Sequence, residues 1–289
     1  VSRAADPSPA APGGRHHGGL ISSRRHPLVR RLRQLHSAKG RREQQLLLLE
    51  GTHLVQEALR LGLEPVDLLA TEPWQRSHGA VLRALPAGLA ATMVSEEVLA
   101  AVATTDHPDG VVATLAPPPA SWGPASPRLV LALDGVQDPG NLGTLIRTAL
   151  AAGVEALWLA EGADPLQPKV LRASAGAALA LPLQRAGRSD LLHQLELLAT
   201  PAGPGALQVV ATVPPRAGAM PYWELDWLQP TVLMLGQEGA GLGEAFLQRA
   251  THRVTVPHSA AVESLNVAVA AAPLLLERWR QQQRGGPLA

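Results

Sequence analysis

The 289-residue chain contains no cysteine, which excludes disulfides, iron–sulfur clusters and thiolate zinc sites. Aromatic residues are scarce, with six Trp, one Tyr and one Phe, so there are few platforms on which flat ligands could stack. No apolar run reaches the roughly 18 residues that cross a bilayer, and the N-terminal stretch lacks the compact apolar core of a secretory signal. The simplest expectation is a soluble, cytoplasmic protein with no membrane partner. The 27 glycines and 26 prolines stay below the roughly 25–30% of a chain that marks a low-complexity polymer. A folded chain of this length fits two domains of about 150 residues each.

What the chain does have is a lopsided charge. Its net charge is +1, yet the first 50 residues hold ten Lys and Arg against three Asp and Glu. Eight basic residues and no acidic one lie between Arg24 and Arg42, a concentration of positive potential suited to a phosphate backbone. A solvated helix face is the plain alternative. Residues 1–22 combine Pro, Gly and small residues without an apolar period, and are expected to form a disordered tail. Their Pro and Gly density argues against the amphipathic helix of an organelle transit peptide. Residues 284–289 read as a second tail.

From residue 23 to 115 helical and extended patterns alternate. A basic helix is expected around Leu28 to His36 and a strand at Leu46 to Glu50. Thr52 is placed to cap a helix with Leu54, Val55, Ala58, Leu59 and Leu61 on one face, ended by Gly62. Strands follow at Val66 to Ala70 and Val111 to Leu115, which makes a small α/β domain. Residues 116–127, APPPASWGPASP, read as a semi-rigid linker. Beyond it, apolar runs at Arg128 to Asp134, Val154 to Ala160, Leu207 to Val213 and Thr231 to Leu235 alternate with helical patterns. They predict an α/β domain built on a parallel sheet over residues 128–283.

Three constellations carry polar chemistry. The first is DGVQDPGNLGTLIRTA (134–149), a strand end, a turn and a helix start, with Asn141 placed to cap the helix and Arg147 less than two turns on. Both can look towards the crevice at the carboxyl end of the strand; an ordinary turn and a surface arginine are the plain reading. The second is LGQEGAGL (235–242), where three glycines let backbone approach a ligand. It is no dinucleotide-binding fingerprint, because the Gly-x-Gly-x-x-Gly spacing is absent. The third is VTVPH (254–258) followed by ESLNVAVA (263–270), with Ser264 read as the cap of a helix running to about Gln283.

In this order and at these separations, the phrases DPGNLGTLIRTA, LGQEGAGL and VESLNVAVA resemble the three motifs of the SpoU (TrmH-like) family of RNA 2′-O-methyltransferases, within the SPOUT superfamily. LLLLEGTHLVQEA (46–58) is similar to that family's N-terminal RNA-binding domain of L30e-like fold, and KVLRASAG (169–176) to its ribosomal-RNA branch. The resemblance implies a parallel α/β sheet with a C-terminal trefoil knot, S-adenosyl-L-methionine as cofactor, no metal, a homodimer, and structured RNA, ribosomal RNA first, as partner. It places Asn141 and Arg147 at the reacting ribose, with Glu238 supporting the second loop. Gly236, Val256 and Leu265 match cofactor-holding backbone positions, while Ser264 and Asn266 match polar active-site residues. His258, Ala260 and Ala268 stand where the family frequently has Met, Gly and Ser. Pro273 falls within the last helix and should kink it. Leu265, Val269, Ala272, Leu276 and Trp279 form an apolar stripe that either a dimer or a subunit core would explain.

A sulfonium donor already carries a good leaving group, so such an enzyme chiefly aligns the methyl with the ribose oxygen and assists proton loss. The resemblance casts Arg147 as proton acceptor, although a guanidinium is ordinarily always charged. A clamp on phosphate and developing alkoxide is the second role. The competing functions are transfer-RNA 2′-O-methylation, base methylation, and a non-catalytic RNA-binding assembly factor of the same fold. Retention of Asn141, Arg147, Glu238, Ser264 and Asn266 argues against the last.

Overall fold

The computed structural model of the chain describes residues 19–198, 206–215 and 219–283. Residues 1–18 of the first expected tail, and all of 284–289, lie outside the described residues. Ile21, assigned by sequence to the tail, is instead part of the fold. It is buried, its N–H donates to the Met93 carbonyl and its carbonyl accepts from the Ser95 N–H. An isolated apolar residue among Pro, Gly and Ser has no period to betray it.

Four strands, β1 (Leu47–Glu50), β2 (Pro65–Ala70), β3 (Thr92–Met93) and β4 (Val111–Leu115), form the N-terminal sheet in the order β1-β4-β2-β3. β4 runs antiparallel to β1 and β2, and β3 parallel to β2. On one face Leu48, Leu69 and Val112 pack with Val29, Leu32, Leu35, Val98 and Leu99 from the covering helices. On the other, Leu47, Leu49 and Ala113 pack with Leu54, Val55 and Ala58 of the helix Thr52–Arg60. That helix ends as expected at Gly62, whose φ is +71°. The Leu63 N–H donates to Ala58 O and the Gly62 N–H to Leu59 O, the paired bonds of a Schellman stop. Its start differs from expectation: Gly51 is the cap residue, and the Thr52 N–H donates to Asp109 Oδ2 at 2.6 Å across the fold.

The Pro-rich linker lies on the second domain. Ser121 N–H donates to Leu183 O, the Trp122 ring stands edge-on to Trp158 at 5.5 Å, and Trp158 Nε1 donates to Trp122 O at 3.0 Å.

Seven strands, β5 (Leu129–Asp134), β6 (Ala156–Ala160), β7 (Leu183–Ala186), β8 (Gln208–Thr212), β9 (Met220–Pro221), β10 (Thr231–Gly236) and β11 (His252–Thr255), form the second sheet in the order β7-β6-β5-β10-β8-β11-β9. Every pairing is parallel. β5 and β10 are buried along their whole length, as a sheet covered on both faces requires. Leu131 and Leu133 face the helices Pro139–Ala151 and Val267–Gln283 through Leu142, Leu145, Ile146, Leu274 and Leu275. Val130 and Ala132 face Leu191, Leu195 and Phe246 on the opposite side. The chain leaves β5 outward to β6 and β7, then returns to the other side, so strand order reverses beside β5. In open α/β sheets such a reversal opens a crevice at the strands' carboxyl ends. The last helix runs unbroken from Val267 to Gln283 with Pro273 inside it. Among the described residues no helix is long and apolar enough to cross a membrane.

Candidate active site

β5 delivers Asp134 to the crevice. Its buried carboxylate accepts from Arg188 Nε at 2.8 Å and from the Gly243 N–H at 3.0 Å. Arg188 also pairs with Glu161 at 3.2 Å. The bond to Asp134 raises the Arg188 guanidinium above its ordinary pKa. Asp134 thereby ties the end of β5 to the segment after β7 and to the far end of the β10 loop.

The next helix starts at Pro139, a residue with no N–H to leave unsatisfied. Its cap is Asp138, whose Oδ1 accepts from the Asn141 N–H at 2.7 Å, which corrects the expectation that Asn141 caps. Relieved of that task, the Asn141 side chain bridges two other loops. Its Nδ2 donates to Glu238 Oε1 at 2.5 Å, and its Oδ1 accepts from Asn266 Nδ2 at 2.9 Å.

Glu238 is presented by a tight turn after β10. Gln237 and Gly241 pair across it, with the Gly241 N–H donating to Gln237 O at 3.0 Å. A Cβ on Gly236 would overlap the Gly241 carbonyl carbon, so the turn closes only over glycine. Gly239 and Gly241 have φ of +94° and +70° and face open space. That leaves bare backbone at the surface of the turn, open to close approach by another molecule.

The third loop follows β11. Val256 is half-buried, and its carbonyl bonds the His258 ring at 2.8 Å. The last helix begins at Val267, and its cap is Asn266, not Ser264. Asn266 Oδ1 accepts from the Ala268 and Val269 N–H groups at 2.9 and 3.2 Å. Ser264 is exposed two residues earlier, and Leu265 is half-buried. Because Asn266 Oδ1 is committed to the helix start, only its Nδ2 can face Asn141. Asn141 must then turn its oxygen to Asn266 and its nitrogen to Glu238, which as a carboxylate only accepts. Both amides therefore have one orientation.

The structure thus unites Asn141, Glu238 and Asn266; Gly236 is buried at the end of β10, while Val256 and Leu265 are half-buried in the segment after β11. Arg147 is exposed on the helix of Asn141 and makes no ion pair or hydrogen bond among the described residues. Sequence reasoning missed Asp134, Asp138 and Arg188. Asp138 had a readable signal, Asp-Pro before a helix; the Asp134–Arg188 pair spans too many residues to show any spacing. Among the described residues no group of three or more His, Asp or Glu could hold a metal ion.

A parallel α/β domain with three loops tied together over its switch point, joined to a smaller α/β domain that exposes arginines, defines a two-domain α/β protein whose polar side chains gather at the crevice. The SpoU rRNA Methylase family matches residues 128–276, and the MRM3-like substrate binding domain matches residues 26–113. An uncharacterised tRNA/rRNA methyltransferase of Synechocystis is 45% identical over 91% of this chain and 94% of its own. The 23S rRNA (guanosine(2553)-2′-O)-methyltransferase RlmP of Bacillus subtilis is 34% identical over 88% and 97%. The AdoMet-bound rRNA methyltransferase of Sinorhizobium meliloti superposes with a TM-score of 0.77 at 33% identity, covering 91% of this chain and 98% of that one. The chain belongs to the SpoU rRNA methylase family, and the resemblance read from its motifs holds.

Proposed function

We propose that the protein transfers a methyl group from S-adenosyl-L-methionine to a ribose 2′-hydroxyl of ribosomal RNA, acting in the cytoplasm. The observation that carries this reading is the Glu238–Asn141–Asn266 chain of hydrogen bonds, which brings one polar group from each of the three loops to a single point. Asn141 and Asn266 each retain one Nδ2 hydrogen uncommitted among the described residues, and Glu238 retains acceptor capacity. Two donors and an acceptor held in fixed orientation suit the hydroxyls of a ribose. The bare backbone at Gly236, Gly239 and Gly241, with the segment of Val256 and Leu265, holds the cofactor, which when bound supplies the electrophilic methyl.

Arg147 acts through its charge, clamping the phosphate beside the target ribose and stabilising the developing alkoxide. This role needs an exposed, uncommitted cation, and Arg147 is one among the described residues. The base role needs a neutral guanidinium, whereas this group is ordinarily always charged. Ser264, exposed on the third loop, contributes a hydroxyl at the rim.

Residues 23–115 form the RNA-binding unit, 116–127 the linker and 128–283 the catalytic unit. Of the basic run, Arg24, Arg31, Lys39 and Arg41 are spent on ion pairs with Glu97, Asp67, Glu43 and Asp164. Arg25, Arg30, Arg33 and Arg42 are exposed and have no ion pair among the described residues, and these four meet RNA phosphates. Three residues of the last helix's apolar stripe face outward: Val269, Leu276 and Trp279 are 61%, 47% and 45% exposed, while Leu265 and Ala272 are half-buried. This supports a homodimer rather than a subunit core. The C-terminal trefoil knot that the motif resemblance implies is part of this reading.

The direct test incubates the protein with radiolabelled S-adenosyl-L-methionine and ribosomal RNA, then digests with alkali. Cleavage needs a free 2′-hydroxyl, so label retained in an alkali-resistant dinucleotide reports ribose methylation. Label released in mononucleotides would mean base methylation and refute the reading.

A further inference from the structure

The segment KVLRASAG (169–176) takes no part in the crevice. It forms the joint between the two domains. Arg172, on the helix Pro168–Ala173, places Nη1 2.9 Å from Glu50 Oε1 at the end of β1. The same Nη1 donates to Thr104 Oγ1 at 2.8 Å, and that hydroxyl donates to Glu50 at 2.6 Å. The Thr104 N–H donates to Glu50 Oε2 at 3.0 Å. Glu50 is 4% exposed, and Arg172 is its one ionic partner among the described residues. A second tie joins Arg41 of the N-terminal domain to Asp164 at 2.6 Å.

Apolar packing accompanies these ties. Leu54, Leu171 and Ala177 share one core cluster, and Gly176, at φ +83°, leaves only enough room for Glu57, whose Cγ would lie 2.7 Å from an added Cβ. The helix Pro168–Ala173 in turn seats the catalytic helix Pro139–Ala151 backbone to backbone: a Cβ on Gly143 would overlap Ala173 and stand 2.9 Å from Ser174 N. A continuous series of contacts therefore runs from Glu50 to Arg172 and, through the neighbouring Ala173 and Ser174, to Gly143 of the helix that carries Asn141 and Arg147.

We propose that Glu50 and Arg172 are positioning residues, locking the RNA-binding domain to the catalytic helix so that RNA held by one meets the chemistry of the other in a single geometry. Apolar contacts between Leu54, Leu171 and Ala177 would tolerate sliding. A buried carboxylate whose one cation sits on the other domain does not, because separating the pair strands a charge out of water. Such pairs add little net stability over apolar packing but strongly penalise the wrong register. The inference rests on the RNA-methyltransferase reading above.

The test uses the full chain, whose lack of native cysteine allows two spin labels at chosen sites. Val66→Cys and Leu228→Cys, 48% and 44% exposed, put one label on each domain. With labelled chain diluted into excess unlabelled chain, so that one protomer of a dimer carries both labels, the parent should give one narrow label–label distance. Arg172→Ala should broaden it, leave affinity for S-adenosyl-L-methionine and for ribosomal RNA within about threefold, and lower the single-turnover methylation rate at saturation by roughly 10- to 100-fold. Should the Ala variant lose cofactor affinity, signalling a damaged catalytic domain, Thr104→Val carries the test. It removes the bridging hydroxyl without stranding a charge, and should give the same pattern with a rate loss of about 3- to 10-fold. An unchanged distance distribution and rate overturn the proposal. So does a loss of RNA affinity as large as the loss of rate with distances unchanged, since Arg172 would then be touching RNA itself. A parent protein that methylates no ribosomal RNA would refute the proposed function instead, and the label distances would still report on the joint.

Discussion

Asn141→Asp changes one atom and reverses one interaction. The amide nitrogen now 2.5 Å from Glu238 Oε1 would become a carboxylate oxygen, while the bond from Asn266 Nδ2 would survive. The lost bond to a charged acceptor is worth about 1–2 kcal/mol at this solvent-facing site. Two unit charges relaxed to about 3 Å repel by roughly 1.4 kcal/mol at water's dielectric constant and by about 5.5 kcal/mol at an effective value of 20. Glu238 is exposed and Asn141 half-buried, so the repulsion falls near the lower figure and the whole change costs about 2–3 kcal/mol at neutral pH. Two facing carboxylates bind a shared proton more readily than separated ones. The folded variant thus takes up a proton at higher pH than its unfolded chain does, and its stability relative to the parent rises as pH falls. Urea unfolding of variant and parent at about pH 7.5 and about pH 5 should show the gap shrinking to under about 1 kcal/mol at the lower pH. An equal gap at both values, or none at neutral pH, would mean that Asn141 does not bridge to Glu238.

Other perturbations separate the parts of the site. Gly236→Ala should weaken S-adenosyl-L-methionine binding at least about 10-fold by calorimetry, because the added methyl overlaps the Gly241 carbonyl and opens the turn. Arg147→Ala should lower single-turnover methylation by about 100-fold or more with cofactor affinity little changed. Arg147→Lys should keep partial activity without a new dependence on pH, whereas a base role predicts a rate rising steeply with pH. Replacing both Arg30 and Arg33 by Ala should weaken RNA binding and reduce the slope of log affinity against log salt by about 2; an unchanged slope would show that these side chains only solvate their helix.

Some of this architecture can be read along the chain because its cause is local. The run RLVLALD reads as a doubly covered strand and is one, and Gly62 ends its helix because only glycine enters that turn without cost. Helix starts were read less well for a physical reason. Several polar residues near a helix start can each satisfy its free N–H groups, and the choice depends on what else each must hold. Asn141 and Ser264 both look like caps, but Asp138 and Asn266 do that work, which frees Asn141 to join three loops. The two-residue strands β3 and β9 carry no period at all. Glu50 and Arg172, or Asp134 and Arg188, are brought together only by the completed fold, so no spacing announces them.

The proposed reaction of this crevice is methylation of a ribose in ribosomal RNA. Mass-spectrometric mapping of ribosomal RNA from cells with and without the gene tests it most directly. One 2′-O-methylated nucleotide should disappear with the gene and return with the parent protein, but not with the Arg147→Ala variant. Unchanged ribose methylation, or loss of a base methyl instead, would contradict it.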